Sequence, residues 1–325
     1  MKQYIIFFIT IINAVMSFGQ YPSAAGQPGS TAIHKDSSII VNWAFKVVSF
    51  ERGLQNISNS AGGVANFGDS TNALGIAEGN SSDIVSLGDE GTIVLSFQNP
   101  IKNSNGPDFA VFENSFDNSF LELAHVEVST DGITFIRIPS ISLTTEAIQT
   151  GSFGSTDPTK IHNLAGKYRQ GYGTPFDLED IIDSTGVNLD SINFVKIMDV
   201  VGSISPLFAN YDSQGNIIND PYPTEFGSSG FDLDAIAVIN ENRFVGITDS
   251  DLIGFNIHPN PAQFSFQINN ITHGDLEIYN LNGLMVYSKT IEIQETIDIS
   301  ELERGIYIVN FSTNNIRTTK KIIVN

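Results

Sequence analysis

The chain lacks cysteine, and it has little positive charge and a single tryptophan. Without cysteine there is neither a disulfide framework nor a thiol nucleophile, so stability must come from a packed core or from bound metal. The formal net charge is -20, and residues 21–240 hold 26 acidic side chains against 9 Lys and Arg. Binding to nucleic acid or to an anionic membrane requires clustered cations, so this charge disfavours both partners and favours bound cations.

Recognisable catalytic signatures are scarce as well. The chain has no G-x-S-x-G elbow of a serine hydrolase, and its five histidines are scattered without the spacing of a zinc site. We therefore expect a protein without catalytic activity. The rival interpretation is a carbohydrate-active hydrolase, because such enzymes need only two suitably spaced carboxyl groups, and the candidates are Asp199, Asp232 and Asp234.

Long hydrophobic runs are missing except at the start of the chain. The stretch "MKQYIIFFITIINAVMSFGQ" has one lysine, an apolar run from Tyr4 to Ile12 and the small residues Ser17 and Gly19. This is the pattern of an export signal, and the run is shorter than the roughly 20 apolar residues that span a bilayer. The sequence predicts a signal peptide at residues 1–19 and no transmembrane segment, and hence an extracellular or outer-membrane-surface location.

Short apolar runs separated by Gly, Asn, Ser and Asp are plentiful. They are rich in β-branched and aromatic residues, as at Gly91–Phe97, Asp108–Asn114 and Leu233–Ile239, and this composition is typical of strands. In "AHVEVSTDGITFIRI" the pair Asp131-Gly132 favours a tight hairpin turn, and alternation places His125 on the face that we expect to be exposed. The pattern predicts an all-β chain.

The predicted strands fall into two domains. We expect a two-sheet sandwich at residues 20–240, a polar linker at 241–252 and a smaller sandwich of alternating strands at 253–325. Trp43 lies in an apolar run, "IIVNWAFKVVSF", which favours core packing over a binding platform.

The last 70 or so residues carry a specific set of motifs. These are His258-Pro259-Asn260-Pro261-Ala262, Ile278-Tyr279-Asn280-Leu281-Asn282-Gly283, Leu302–Tyr307 with Gly305, and Lys320-Lys321-Ile322-Ile323-Val324. Together they resemble the C-terminal sorting domain of type IX secretion cargo in Bacteroidota. The resemblance implies a small Ig-like β-sandwich, the type IX secretion machinery as partner, and removal of this domain after passage across the outer membrane.

The first domain shows two weaker resemblances. "VEVSTDGITFIRI" and the closing "GFDLDAIAVI" are similar to galactose-binding-like jelly rolls, including discoidin-type modules, which implies a jelly-roll β-sandwich. Several members of that group bind calcium through the last strand. "YPSAAGQPGSTAI" and "GPDFAVFENSF" resemble uncharacterised Bacteroidota cell-surface proteins, some of them associated with corrinoid uptake.

Oxygen-bearing side chains are concentrated around the last strand of the first domain. "DSQGNIIND" provides candidate ligands around a glycine turn, and residues 200–239 contain no Lys or Arg to neutralise them. A carboxylate facing an apolar layer costs several kcal/mol unless it is paired, hydrogen-bonded or metal-bound. The sequence therefore predicts a structural calcium site, with solvated turns as the alternative. The predicted ligands are Asp199, Asp212, Asn216, Asp220, Asp232 and Asp234.

One loop gathers the aromatic and cationic residues that the acidic domain otherwise lacks. Within "KIHNLAGKYRQGYGTPFDLED" the candidate ligand contacts are Tyr168, Arg169, Tyr172 and Phe176, because aromatic loop residues stack on sugars and planar ligands. The alternative is that Tyr172 and Phe176 hold the loop against the sandwich. The function that we expect is non-catalytic binding at the cell surface, of a glycan first and of a corrinoid or similar nutrient second, with an adhesive or structural component as a further alternative.

Overall fold

The computed structural model describes residues 20–242, 255–269, 273–292, 295–313 and 316–325. The predicted signal peptide and residues 243–252 of the predicted linker lie outside this part of the chain. Contacts divide the chain into two compact units, Met1–Arg243 and Phe244–Asn325.

The first unit consists of short strands, as the sequence predicted. They are β1 (Ile33–His34), β2 (Asn42–Trp43), β3 (Lys46–Glu51), β4 (Val85–Ser86), β5 (Thr92–Ile101), β6 (Phe109–Glu113), β7 (Ala124–Ser129), β8 (Ile136–Arg137), β9 (Ile141–Ser142), β10 (Ile161–His162), β11 (Tyr172–Phe176), β12 (Ile192–Asp199) and β13 (Asp232–Val238). Its described helices are single 3₁₀ turns at Ser60–Gly62, Ser70–Ala73, Pro158–Lys160 and Leu178–Ile181.

These strands form two antiparallel sheets. The first has the order β1-β11-β6-β13-β2, with β4 also paired to β13, and the second has the order β3-β5-β12-β7-β8. A separate pair is formed by β9 and β10. Strands that are distant in sequence are thus neighbours within each sheet. Two such antiparallel sheets with a core between them form a β-sandwich, which confirms the predicted fold class.

The main core lies between the two sheets. Phe109 and Phe176 of the first sheet stack with their ring centroids 5.3 Å apart, and they pack in the same buried cluster as Val195 and Ile197 of the second sheet. Burial of each such side chain contributes about 1.5–3 kcal/mol. A further apolar layer includes Phe112, against which Trp43 packs at 5.4 Å, so the packing role predicted for this tryptophan is confirmed.

The predicted hairpin is present, but its outer face is not exposed. Strand β7 pairs with β8, Gly132 has a positive φ of 74°, and the Asp131 carboxylate accepts hydrogen bonds from the amides of Ile133 and Thr134. All six residues of β7 are buried, including His125. The prediction of an exposed His125 is therefore wrong, because strand alternation does not reveal that loops cover the second face.

The second unit is a small Ig-like sandwich. Its strands are β14 (Asn256–His258), β15 (Ser265–Asn269), β16 (Gly274–Asn280), β17 (Met285–Ile291), β18 (Glu295–Asp298), β19 (Gly305–Thr313) and β20 (Ile316–Val324). They form two antiparallel sheets, ordered β14-β15-β18 and β17-β16-β19-β20. The core includes Phe266, Ile278 and Phe311. The turn before β17 is tight, with Gly283 at φ 79°.

Candidate functional site

Strand ends from both sheets of the first unit meet at one end of the sandwich. In the first sheet, β6 ends at Glu113, which lies opposite Leu233 just after β13 begins. In the second sheet, β12 ends at Asp199, which lies opposite Ala124 where β7 begins. Antiparallel pairing therefore brings polar residues that are far apart in the chain to the same place. We call six of them the acidic cluster: Asp89, Glu113, Glu122, Asp199, Asp220 and Asp232.

The acidic cluster is buried, and burial changes its ionisation. Each of the six residues is at most 7% exposed. Burial raises the pKa of Asp89 and of Asp232 to about 7. It raises the pKa of the other four carboxyl groups well above their usual range, and the neighbouring acidic side chains add to the effect. These carboxyl groups therefore favour either a bound proton or a positive charge beside them.

Three members of the cluster bind the backbone of the loops around them. The two carboxylate oxygens of Asp199 accept hydrogen bonds from the amides of Phe231 and Glu90, at 2.7 and 3.1 Å. Asp220 accepts from the amide of Leu123 at 2.9 Å, and Asp89 accepts from that of Ile57 at 2.7 Å. Their positions indicate a role in holding the loops at the end of the sandwich.

Of the other three members, Asp232 is bonded by side chains, and the two glutamates are incompletely bonded. Asp232 accepts hydrogen bonds from the hydroxyl of Ser86 and from the side-chain amide of Asn114. Glu113 accepts from the amide of Ser115 at 2.8 Å through one oxygen, while its other oxygen is buried without a partner in the described part of the chain. No hydrogen bond to the Glu122 carboxyl group is found among the described residues. Buried polar groups are normally bonded, so both glutamates require an explanation.

A cavity of about 270 Å³ opens above Glu122 and Asp232. We call it the phenylalanine cleft, because its walls are Phe67, Phe116, Phe120, Phe153 and Phe226. Its polar lining, apart from the two acids, is Ser81, Asn114, Ser152, Thr224 and Ser228. Neither Lys, Arg nor His is among these lining residues.

The phenylalanines of the cleft form a continuous series of ring contacts. The ring centroids of Phe116 and Phe120 are 4.8 Å apart, those of Phe120 and Phe153 are 6.4 Å apart, and those of Phe153 and Phe226 are 5.6 Å apart. These are normal separations for interacting aromatic rings. Phe116 and Phe153 nevertheless remain 61% and 74% exposed, so their faces are available to a ligand.

The predicted calcium ligands lie in three separate places. Asp199, Asp220 and Asp232 belong to the acidic cluster, whereas Asp234 accepts hydrogen bonds from the amides of Glu78 and Gly79 at 3.1 and 2.9 Å. Among the residues that the structure describes, no group of three or more His, Asp or Glu side chains has the arrangement of a metal site. The sequence spacing therefore does not translate into one set of six ligands, and the calcium site itself stays a prediction.

Asp212 and Asn216 occupy the third place and bind each other. The Asp212 carboxylate accepts hydrogen bonds from the side-chain amide of Asn216 at 2.8 Å and from the amides of Ser142, Gln214 and Asn216. Burial acts to raise the pKa of Asp212, but these hydrogen bonds together lower it below its usual value. The glycine turn is thus closed by its own side chains.

The four predicted ligand contacts do not form one surface. Phe176 is in the core, and the hydroxyl of the buried Tyr168 lies 2.9 Å from that of Thr31. The guanidinium of Arg169 covers the ring of Tyr172 at 4.7 Å. For Phe176 the structure thus favours the alternative, in which this side chain attaches the loop to the sandwich. Tyr168 lines a different cavity of about 360 Å³, together with Tyr21 and His162 among others.

The residues that build the phenylalanine cleft were not predicted from the sequence. One signal was available, since "NSFDNSF" at residues 114–120 places two phenylalanines in an otherwise polar stretch. Glu122 lies two residues after Phe120, but nothing in the local sequence distinguishes it from the acidic side chains elsewhere in the chain.

Comparison with known families identifies the second unit. Residues 256–325 match the family described as "Secretion system C-terminal sorting domain". The chain carries a secretion tail. This confirms the predicted type IX sorting domain and makes the chain a secreted or cell-surface protein that interacts with the type IX secretion machinery. Within the described residues, we find no helix with the length and hydropathy needed to span a bilayer.

The chain has distant structural similarity to known proteins. The chain is similar to a "Biofilm associated protein - BSP domain", with 10% identity over 73% of this chain and 49% of the other, and a TM-score of 0.20. It is also similar to a β-glucuronidase from Ruminococcus gnavus in complex with D-glucaro-d-lactam. The identity is 12% over 94% of this chain and 47% of the other, and the TM-score is 0.22. The chain spans less than half the length of these proteins, and similarity at this level carries no functional argument. No curated protein matches the chain.

Proposed function

We propose that this secreted or surface protein binds a saccharide, without catalysis, in the phenylalanine cleft. The observation that carries the proposal is the series of ring contacts from Phe116 to Phe226, which lines one cavity together with uncharged polar side chains. Ligand sites are concave, mainly apolar and aromatic, with a few polar groups that fix orientation. A sugar ring matches this combination, because its C–H faces pack on aromatic rings while its hydroxyl groups need hydrogen-bond partners.

The uncharged polar side chains that line the cleft can form hydrogen bonds to the hydroxyl groups of a sugar. Asn114 and several Ser and Thr side chains line it, and each hydroxyl can donate or accept. The volume of about 270 Å³ is slightly below the usual range for small-molecule sites, about 300–1,000 Å³. A monosaccharide-sized group, either alone or as the end of a longer chain, fits that volume.

The test is a screen of the whole chain against an oligosaccharide array, followed by calorimetry on the ligands that bind. We expect Phe153→Ala to weaken binding about 10-fold, as removal of a central aromatic contact typically does. Phe45→Ala is the matched control, since Phe45 is 55% exposed but does not line the cleft. Equal losses in both variants, or no binding by the unaltered chain, would contradict the proposal.

A carbohydrate hydrolase is the second candidate, and one observation favours it. Glu122 and Asp232 line the same cavity and both have raised pKa values, and glycoside hydrolysis uses two carboxyl groups in different protonation states. Among the acids suggested by the sequence, Asp199 and Asp234 are instead bonded to backbone amides. Release of reducing sugar from a polysaccharide panel, lost in Asp232→Asn, would favour hydrolysis over binding alone.

A further inference from the structure

One acidic side chain of the phenylalanine cleft has no partner among the residues that the structure describes. Glu122 is only 7% exposed, yet its carboxyl group receives no hydrogen bond or ion pair from the described residues. It lines the cavity next to Asp232. Burial without a partner favours the protonated form of Glu122, and a cation bound beside it would favour the carboxylate.

Among the described residues, the charges that act on Glu122 are those of other acidic side chains. The charges of Asp232 and Glu113 act on Glu122 and contribute to its raised pKa, after the larger effect of burial. The ion pairs found among the described residues involve none of the three. The site therefore has an electrostatic preference for a cation before any ligand enters.

The walls of the cleft have the same preference for a different physical reason. The face of an aromatic ring carries the negative part of its quadrupole and attracts ammonium groups within about 6 Å of the ring centroid. All five aromatic walls are phenylalanine, which has no polar atom to bond a sugar hydroxyl. Exposed phenylalanine rings and the carboxyl group of Glu122, which has no partner among the described residues, thus line one cavity.

We propose that the phenylalanine cleft selects a saccharide that carries a free amino group, whose ammonium is bound by Glu122 and Asp232 between the phenylalanine rings. This inference rests on the proposed function and specifies its ligand class. The ammonium group supplies the donors that Glu122 lacks, and charge-assisted hydrogen bonds are stronger than neutral ones. Asp232 is already fixed by Ser86 and Asn114, so it offers its remaining acceptor capacity in a defined direction.

The test compares ligands that differ only in the charge of one substituent. Calorimetry with the whole chain measures binding of a glucosamine trimer, of the same trimer with N-acetylated amines, and of a glucose trimer. We expect the free-amine trimer to bind at least about 10-fold more tightly than the other two. Glu122→Gln should remove that preference and leave the weaker affinity for the neutral trimers.

Two controls separate a binding role of Glu122 from a structural one. Asp131→Asn removes a carboxylate from the β7–β8 turn, outside the cleft, and should leave the preference for the amine unchanged. The melting temperature of Glu122→Gln should equal or exceed that of the unaltered chain, because a buried carboxyl group without a partner is replaced by a neutral amide. Loss of amine binding together with retained stability supports the proposal.

The outcomes distinguish this inference from the proposed function. Equal affinity for the free-amine and neutral trimers overturns the inference and leaves saccharide binding intact. Absence of binding by all three trimers, and by the wider oligosaccharide array, overturns both. Binding of tetramethylammonium chloride as tightly as the free-amine trimer overturns the assignment to a saccharide.

Discussion

Replacement of Asp232 by asparagine should change the pH dependence of stability in a defined direction. Burial raises the pKa of Asp232 from 3.8 to about 7. Between these two values the folded protein binds a proton at Asp232 that the unfolded chain has already released. Folding stability therefore decreases as the pH rises through this window. Asparagine cannot ionise, so the decrease should disappear from the variant.

The size of the effect follows from the pKa change. A shift of about 3 units corresponds to about 4 kcal/mol, at 1.36 kcal/mol per unit. This is an upper value, because relaxation and entry of water reduce the cost of a buried charge. Asp232 also raises the pKa of Glu122, and the variant loses that contribution as well. We thus expect Asp232→Asn to gain up to about 4 kcal/mol over the unaltered chain between about pH 4 and pH 8.

The assay is urea unfolding followed by tryptophan fluorescence across that pH range. Trp43 is the only tryptophan of the chain and lies in the first unit, so the signal reports on that unit. The buried His125 acts in the opposite direction, because burial lowers its pKa from 6.5 to about 4 and stability then rises with pH. This contribution is common to both proteins and cancels in their difference.

The control is Asp131→Asn, which removes a carboxylate whose pKa is lowered rather than raised in the folded protein. Hydrogen bonds from Thr134 and Ile133 lower the pKa of Asp131, so its stabilising effect is lost only as the pH falls below the usual range of an aspartate. The difference between this variant and the unaltered chain should be constant from about pH 5 to pH 8. A constant difference for Asp232→Asn as well would refute the reasoning, since it would mean that Asp232 ionises in the folded protein as it does in water.

Two further predictions concern the loops around the acidic cluster. Gly202→Ala should destabilise the first unit by about 3 kcal/mol or more, because the φ of Gly202 is +75° and a Cβ would lie 1.7 Å from an Asp220 carboxylate oxygen. Gly26 has a similar φ of +79° but open space around it, so Gly26→Ala should cost only about 1 kcal/mol. Urea unfolding measures both changes. Similar losses in the two variants would contradict this packing argument. The calcium prediction is tested by melting with and without calcium: calcium bound by the cluster should raise the melting temperature, and Asp199→Asn should abolish the rise. No rise, with no metal found by elemental analysis, would end that prediction.

Strand content was accessible from the sequence because it depends on local pattern. The runs at Asp108–Asn114 and Leu233–Ile239 correspond to β6 and β13, and Asp131-Gly132 forms the predicted turn. The sorting domain was identifiable for a similar reason, since its motifs are contiguous stretches whose order is specific. Burial of Asp199 and Asp232 was also expected, because both are among the predicted ligands whose carboxylates face an apolar layer.

The candidate site was less accessible because its members are joined only by folding. Glu122 and Asp232 lie 110 positions apart in the sequence, and they line one cavity because β7 and β13 both begin at the same end of the sandwich. The predicted calcium ligands show the converse, that residues close in sequence need not share a site. Asp212 and Asp220 are near each other in sequence, but the first is bonded within its own turn and the second reaches the amide of Leu123.

The sequence by itself determined the all-β composition, the secretion tail and the excess of negative charge, because these are properties of local order and of sums over the chain. Tertiary structure alone decided which acids are buried together, which phenylalanines stay exposed and where the two groups meet. The physical reason is that antiparallel pairing of distant strands fixes neighbours that no local pattern encodes. An acidic residue acquires its pKa, and an aromatic ring its accessible face, from those neighbours.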